Sequence, residues 1–466
     1  MPGRRKSGAN ASNGLSGLLS HFTLRSKSGS FIVQNLNGIG SMHEELICFA
    51  WKYQLLSRPL TSVDGREVQV IDPGLRNPDA GPDFTQSHIR IGQVDWFGDV
   101  EVHLRSSDWI QHGHDEDPRY HRLILHVVKD HDRELEEAQK PVATVALHDQ
   151  LLPHLEEAYH KLVSSTSWVP CAKQLGQVHV FSRSAWLQRM AVERMAAKAQ
   201  RVLEWVRKTQ GHWQQALFIL LGRAFGGPVN GPAFEVIAQN IPVNRLDTYR
   251  DAHGLRMEAW MLGMAGLLEH QDTHPHVAWL QQEFALIRHK HKVRPLPVYS
   301  LKYARMRPGS FPDLRLAQWA HLWNDRPDLL QQLLSTGAME AWMSLLTPQT
   351  MPDYWRRHWR IDQDESKLHQ AGPGMDMRRS LIINVLLPVI FAFGQAHGDP
   401  NKKEQTMDLL AQLPSESNRL IRRWRETGYH SRHASDSQAL YHLYHQYCRP
   451  RRCLECAIGR QLLHSS

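Results

Sequence analysis

From Asp99 to Arg105 polar and apolar side chains alternate without a break, as Asp-Val-Glu-Val-His-Leu-Arg. Successive strand residues project to opposite faces, so the run reads as a β-strand with Glu101 and His103 on one face and the valines on the other. One face belongs to a core and the other is left for chemistry or solvent. The extended character runs from Val94 to Leu104, and Phe84 to Ile91 supplies a partner across Gly92, which predicts a hairpin. Asp83 stands at the start of that partner strand, so the hairpin returns its carboxylate to the neighbourhood of Glu101.

The flanking segments complete a small α/β unit. Met42 to Leu56 places Leu46, Phe49, Tyr53 and Leu56 at helical spacing, with two carboxylates in the first turn. Glu67 to Ile71 is a strand ended by Asp72, Pro73 and Gly74, and Asn77 to Gly81 is turn chemistry. Asp115 to His121 has the polarity of a short helix, Leu123 to Val128 is a buried-strand run, and Val142 to Leu147 is a further strand. The predicted order is αβββαβ with one extra strand.

Beyond Leu151 helical periodicity takes over, through Ser184 to Val206, Trp213 to Leu221, Met257 to Leu268, Leu314 to Leu334 and Ser380 to Phe393. The fold class expected is therefore an α/β core over 42–150 followed by a mostly α-helical domain over 151–440. A cysteine-bearing segment over 441–466 closes the chain. The glycine-bearing pieces Gly222 to Gly227 and Gly372 to Gly374 read as turns between helices and lack the spacing of a phosphate-binding loop.

Charge narrows the partners less than it first suggests. The chain of 466 residues carries a formal +8, but Arg4, Arg5, Lys6, Arg25 and Lys27 all precede Met42, in a segment with no acidic residue. The body is left at about +3, which leaves room for a basic groove without demanding one. Residues 1–41, rich in Ser, Gly and Asn, read as a disordered basic tail. Their basic start is not followed by the apolar stretch of a signal peptide. No membrane is expected, because Leu381 to Phe393, the most apolar run, is short and contains Asn384 and Pro388. Five cysteines are too few and too odd in number for a disulfide framework and point to a reducing cytoplasm.

The chemistry that Asp83 and Glu101 suit is that of a hard divalent cation, which needs one or two carboxylates and keeps several waters. Such an ion polarises a phosphoryl oxygen while a neighbouring imidazole positions water, a role open to His103. Gly81-Pro82-Asp83 ahead of Glu101-Val102-His103 resembles the motif of the PD-(D/E)XK nuclease superfamily. The resemblance implies an αβββαβ core and a metal-dependent nuclease using Mg2+ or Mn2+, with nucleic acid, DNA in the first instance, as partner. It makes Asp83 the metal-binding aspartate, Glu101 the second acidic ligand and Glu44, in the first helix, a further carboxylate ligand. His103 stands where lysine is usual, and a neutral imidazole lacks lysine's fixed charge. A catalytically silent nucleic-acid-binding module therefore stays beside the nuclease.

Asn77 to Phe84, Gly98 to Trp109, His112 to Val128, Arg305 to Gln318 and Cys448 to Gly459 carry a second resemblance. Through them the chain from Met42 to Gly459 resembles a bacterial family of uncharacterised proteins, the domain of unknown function 2851. It implies no activity.

Further groups offer chemistry. His103, His112, His114, His121, His126 and His131 are dense enough for a zinc or manganese site serving another hydrolase, against a hydrogen-bonded core role for His126 and solvation of His112 and His114. Ser106 and Ser107 can meet a phosphate and Trp109 a base, or they form a turn and a packed indole. Cys448, Cys453 and Cys456 form C-x4-C-x2-C, a spacing that suits a metal and calls for a fourth thiolate; Cys171 is the candidate, while Cys48 lies on the packed face of the first helix. The set resembles the iron-sulfur staple of certain nucleases in that superfamily, except that there the first cysteine precedes the core. Zinc, unligated cysteines and a metal-stapled scaffold stay open. Arg449, Arg451, Arg452 and Arg460 crowd the same segment. Arg419, Arg422, Arg423 and Arg425 can follow a nucleic-acid backbone or form a solvated helix face.

Overall fold

The alternating run forms the longest strand of a mixed sheet. The computed structural model describes residues 39–135, 141–148, 150–269, 274–297, 300–361 and 363–464, and the chain divides into two units after Leu151. The expected disordered tail lies outside the described residues up to residue 38.

Unit 1 begins with α1 (Ile39–Tyr53) and continues through β1 (Leu60–Thr61), β2 (Glu67–Asp72), β3 (Leu75–Arg76), β4 (Phe84–Ile91) and β5 (Val94–Arg105). It ends with α2 (Asp108–Gln111), β6 (Leu123–Asp130) and β7 (Ala143–Ala146). The sheet order is β1-β2-β4-β5-β6-β7, with β3 on β4. β2, β4 and β5 form an antiparallel meander, whereas β5, β6 and β7 run parallel. Gly92 turns the β4–β5 hairpin at positive φ.

Three expectations need correction. First, β5 is buried on both faces from Gly98 to His103, so the face carrying Glu101 and His103 is interior. Gly98 permits this. A Cβ there would lie 2.4 Å from the Arg122 carbonyl oxygen, so only glycine lets β5 come this close to the start of β6. Second, α1 starts at Ile39, and Glu44 and Glu45 fall past its first turn. Third, the predicted helix over Asp115–His121 is a single 3-10 turn, Pro118–Tyr120, in which Asp117 accepts from the Arg119 N–H at 2.9 Å. The β5–β6 crossover is thus made of two short turns.

Unit 2 is helical. It comprises α3 (Pro153–Val163), α4 (Val180–Lys208), α5 (Trp213–Gln239), α6 (Val243–Leu246), α7 (Leu255–Met264), α8 (Pro275–His291), α9 (Pro312–Asp325), α10 (Leu329–Ser335) and α11 (Met339–Leu345). α12 (Met375–Leu381), α13 (Leu387–Ala396), α14 (Pro400–Gln412), α15 (Arg419–Glu426), α16 (Ala434–Leu443) and α17 (Ala457–His464) follow. Trp260, Trp319, Trp323, Trp342 and Trp355 are fully buried in it.

The periodic run Leu314–Leu334 is broken into α9 and α10, because Pro327 offers no N–H to continue a helix. The expected turn over Gly222 to Gly227 narrows to one residue: α5 is two helical pieces that meet at a kink at Gly227 (φ 61°), ahead of Pro228. From Met375 to Ala396, α12, a π-turn and α13 form a segment long and apolar enough by length and composition to cross a bilayer, longer than the apolar run alone suggested. Two-thirds of it is buried inside the protein, packed on α4 and α14.

Candidate metal centre

The site is built on the Glu101 to His103 stretch of β5. Both side chains are buried, at 5% and 1% exposure. The Asp83 backbone N–H donates to Glu101 Oε2 at 2.9 Å, which fixes the carboxylate against the head of β4. Its other oxygen, Oε1, lies 3.4 Å from His103 Nε2 and 3.3 Å from His114 Nε2.

His103 is held at both ends. Nδ1 is 2.8 Å from His126 Nε2 on β6, and Nε2 is 3.2 Å from His112 Nδ1. Burial, then the neighbouring imidazoles, pushes His103 down to about 2, and burial likewise takes His126 to about 3. Both rings are neutral at physiological pH, the form in which imidazole ligates metals.

His112 and His114 come from the turn after α2, where Gly113 adopts positive φ between them. That turn sends both rings back to β5. His114 stacks on Tyr120, with ring centroids 4.1 Å apart. Its ligand nitrogen and those of His103 and His112 lie within 4.8 Å of one another. The sequence left His112 and His114 open between a histidine metal site and solvated loop residues; the His-Gly-His triplet shortly after β5 was the signal for their convergence.

The other predicted ligands adjoin this cluster. One oxygen of Asp83 forms an ion pair with Arg76, and the other accepts from the Val102 N–H at 3.1 Å and faces the Cys48 thiol at 3.8 Å. Glu44 on α1 is raised to about 7, first by burial and then by Asp83 and Glu101. Burial also raises Glu101, against the lowering effect of its hydrogen bond with His114. Glu44 and Glu101 are thus both raised beside Asp83, whose own charge Arg76 meets, and binding a divalent cation would relieve the crowding of the first two.

A stability experiment reads this crowding directly. A carboxyl whose folded pKa lies above its unfolded value destabilises the fold once pH exceeds the unfolded value, and does so fully above about 7. Glu44→Gln should therefore be more stable than the wild type at pH 8 by about 1–2 kcal/mol after solvent screening, and equal to it near pH 4. Urea unfolding without added metal at both pH values measures this. A destabilised variant at pH 8 would remove the strain argument.

The remaining candidates resolve more plainly. Ser106 and Ser107 hydroxyls bind Asp132, at 3.0 Å and 2.8 Å, and Trp109 is buried against Tyr120 and Leu123, so this is the turn with a packed indole. In unit 2, Arg419, Arg422 and Arg425 are exposed on α15, while Arg423 stacks over Trp168 at 4.6 Å. Cys171, Cys448, Cys453 and Cys456 also belong to unit 2.

Comparison with known sequences adds one match. A family model described as "Protein of unknown function (DUF2851)" matches residues 44–419. The matched span takes in Glu44, Asp83, Glu101 and the histidines, and stops short of Cys448, whereas the sequence resemblance was read through to Gly459. No curated protein and no solved structure matches the chain.

Proposed function

The chain belongs to the DUF2851 family, and from that premise we propose that unit 1 is a metal-dependent nuclease-type centre that hydrolyses phosphodiester bonds. The observation carrying this reading is the convergence of Glu101 with His103, His112 and His114 beside Glu44 and Asp83. The sheet supports it. An antiparallel meander followed by a parallel strand, with Asp83 heading one strand and Glu101 and His103 in the next, agrees with the PD-(D/E)XK resemblance, although the helix it implies between β5 and β6 is reduced to two short turns.

Glu101 and the imidazoles of His103 and His114 would hold a divalent cation, with Asp83 and Glu44 adding negative charge from the neighbouring elements. Carboxylate with imidazole suits Mn2+ or Zn2+ better than Mg2+, which prefers oxygen alone. The cation supplies Lewis acidity toward a phosphoryl oxygen and lowers the pKa of water. His103, neutral and enclosed, suits ligation and not proton transfer. The exposed His112 is better placed to take a proton to solvent.

One observation favours the silent nucleic-acid-binding module as a second reading: Arg76 already neutralises Asp83, where a cation would otherwise do so. The two readings part in one assay. The full chain is incubated with single- and double-stranded DNA and RNA, with Mg2+, Mn2+ or Zn2+, beside a chelated control. Metal-dependent cleavage, strongest with Mn2+, is the expected result. Salt-sensitive binding without cleavage would establish the silent module, and neither binding nor cleavage would overturn both.

A further inference from the structure

Away from unit 1, the other four cysteines lie on two segments of unit 2 that pack together. Cys448, Cys453 and Cys456 are buried at 9%, 8% and 7% exposure, and all four thiols are free. Trp168, three residues before Cys171, packs on Tyr444, four residues before Cys448, with ring centroids 5.2 Å apart. The segment between α3 and α4 therefore faces the C-terminal turn of the same unit.

That meeting is built by named contacts. Arg451, in the left-handed region (φ 58°) between Cys448 and Cys453, reaches back so that Nη2 donates to the Ser165 carbonyl at 2.6 Å and Nη1 to that of Leu162 at 3.4 Å. Its guanidinium also favours the Cys453 thiolate. The chain then folds so tightly that a Cβ on Gly459 would sit 2.2 Å from the Cys453 carbonyl oxygen. α17 begins directly after Cys456.

Two buried donors in this unit have no hydrogen-bond partner. The Trp186 indole N–H, on a side chain 4% exposed, makes no hydrogen bond of ordinary geometry, yet it lies where it favours the Cys456 thiolate. The Tyr429 hydroxyl, on a side chain 7% exposed, has no hydrogen-bond partner and stands in the field of Cys171, Cys456 and Cys448. A donor-only indole beside a thiol is poorly satisfied; beside a thiolate it has a strong acceptor.

We propose that Cys171, Cys448, Cys453 and Cys456 form a tetrathiolate site for a thiophilic metal, filled by one zinc ion or an iron-sulfur cluster, that ties the segment after α3 to the C-terminal end of unit 2. Binding releases one proton from each thiol and leaves four metal–sulfur bonds. The clasp joins residues far apart in sequence, so it removes chain entropy from the unfolded state as a long-loop cross-link does.

The test uses the full chain carrying Glu101→Gln, which removes the unit 1 ligand and so keeps that site's metal out of the count, purified under reducing, oxygen-free conditions. Zinc, iron and acid-labile sulfide are measured per chain, with absorption near roughly 400 nm separating an iron-sulfur cluster from zinc. About one zinc, or iron and sulfide in cluster proportion, is expected, and chelation should lower Tm by about 5–10 °C. Cys171→Ser and Cys456→Ser should each lower metal content at least tenfold. If a variant fails to fold, the wild type decides by thiol labelling. Four thiols should resist alkylation until the metal is removed and be protected again by Zn2+, or by Fe2+ with sulfide. Metal retained at wild-type level in the Cys171→Ser, Cys456→Ser double variant would overturn the proposal. So would a chain that neither carries metal nor takes it up from Zn2+ or from Fe2+ and sulfide.

Discussion

Glu101→Gln is expected to reduce metal-dependent phosphodiester cleavage by about three orders of magnitude while leaving the fold intact. Glutamine keeps the length and shape of the side chain, and its carbonyl can still accept from the Asp83 N–H as Oε2 does at 2.9 Å. What changes is the other end. An amide NH2 then faces the nitrogens of His103 and His114, where Oε1 now stands at 3.4 Å and 3.3 Å. One ligand atom and one negative charge are lost together. Affinity for Mn2+ by titration calorimetry should fall in parallel with cleavage.

Asp83→Asn should behave differently. Its carboxylate is engaged by Arg76 and Val102, so its substitution disturbs the placement of Glu101 more than it removes a ligand, and Mn2+ affinity should fall less than in Glu101→Gln. Cleavage by Glu101→Gln within threefold of the wild type would take β5 out of the chemistry.

How far the sequence disclosed this site follows from how local each feature is. The strand around Glu101 is written in a period of two, and its hairpin partner in a turn glycine, so both were legible within a few residues. That both faces of β5 are buried was not, because alternating polarity is the pattern of a half-exposed strand. Burial of the polar face depends on Gly98 and on the turn that folds His112 and His114 back over it. The ion pair between Arg76 and Asp83 was equally hidden, since a short strand after a turn gives no sign of which carboxylate its arginine meets. Cys171 was named as a fourth ligand by counting thiolates; what no spacing rule contains is the reach of Arg451 to the Leu162 and Ser165 carbonyls, which brings the segment after α3 to the C-terminal turn.

The least legible feature of the chain is the most sensitive to substitution. Glu258, in the first turn of α7, would be taken from sequence as a solvated helix residue, yet it is fully buried. Oε1 accepts from His276 Nε2 at 2.9 Å and from the Trp355 indole N–H at 2.7 Å, and Oε2 meets His321 Nε2 at 2.7 Å. One carboxylate thereby joins α7 to the start of α8, to α9 and to the turn over Asp353–Arg356.

Burial alone would raise the Glu258 pKa, but the hydrogen bonds from His276 and His321 outweigh it and hold the carboxyl at about 2. Removing the side chain strands three buried N–H groups. Glu258→Ala should therefore lower the unfolding free energy of unit 2 by about 3–5 kcal/mol, read from urea unfolding of the full chain at pH 7. Because the folded pKa is depressed, this stabilisation is complete above the unfolded value of 4.5 and is lost as pH falls from there toward 2. The gap between wild type and variant should accordingly narrow on acidification across that window. A loss below about 1 kcal/mol at pH 7, or a gap that widens in acid, would mean that the carboxylate does not hold these helices together.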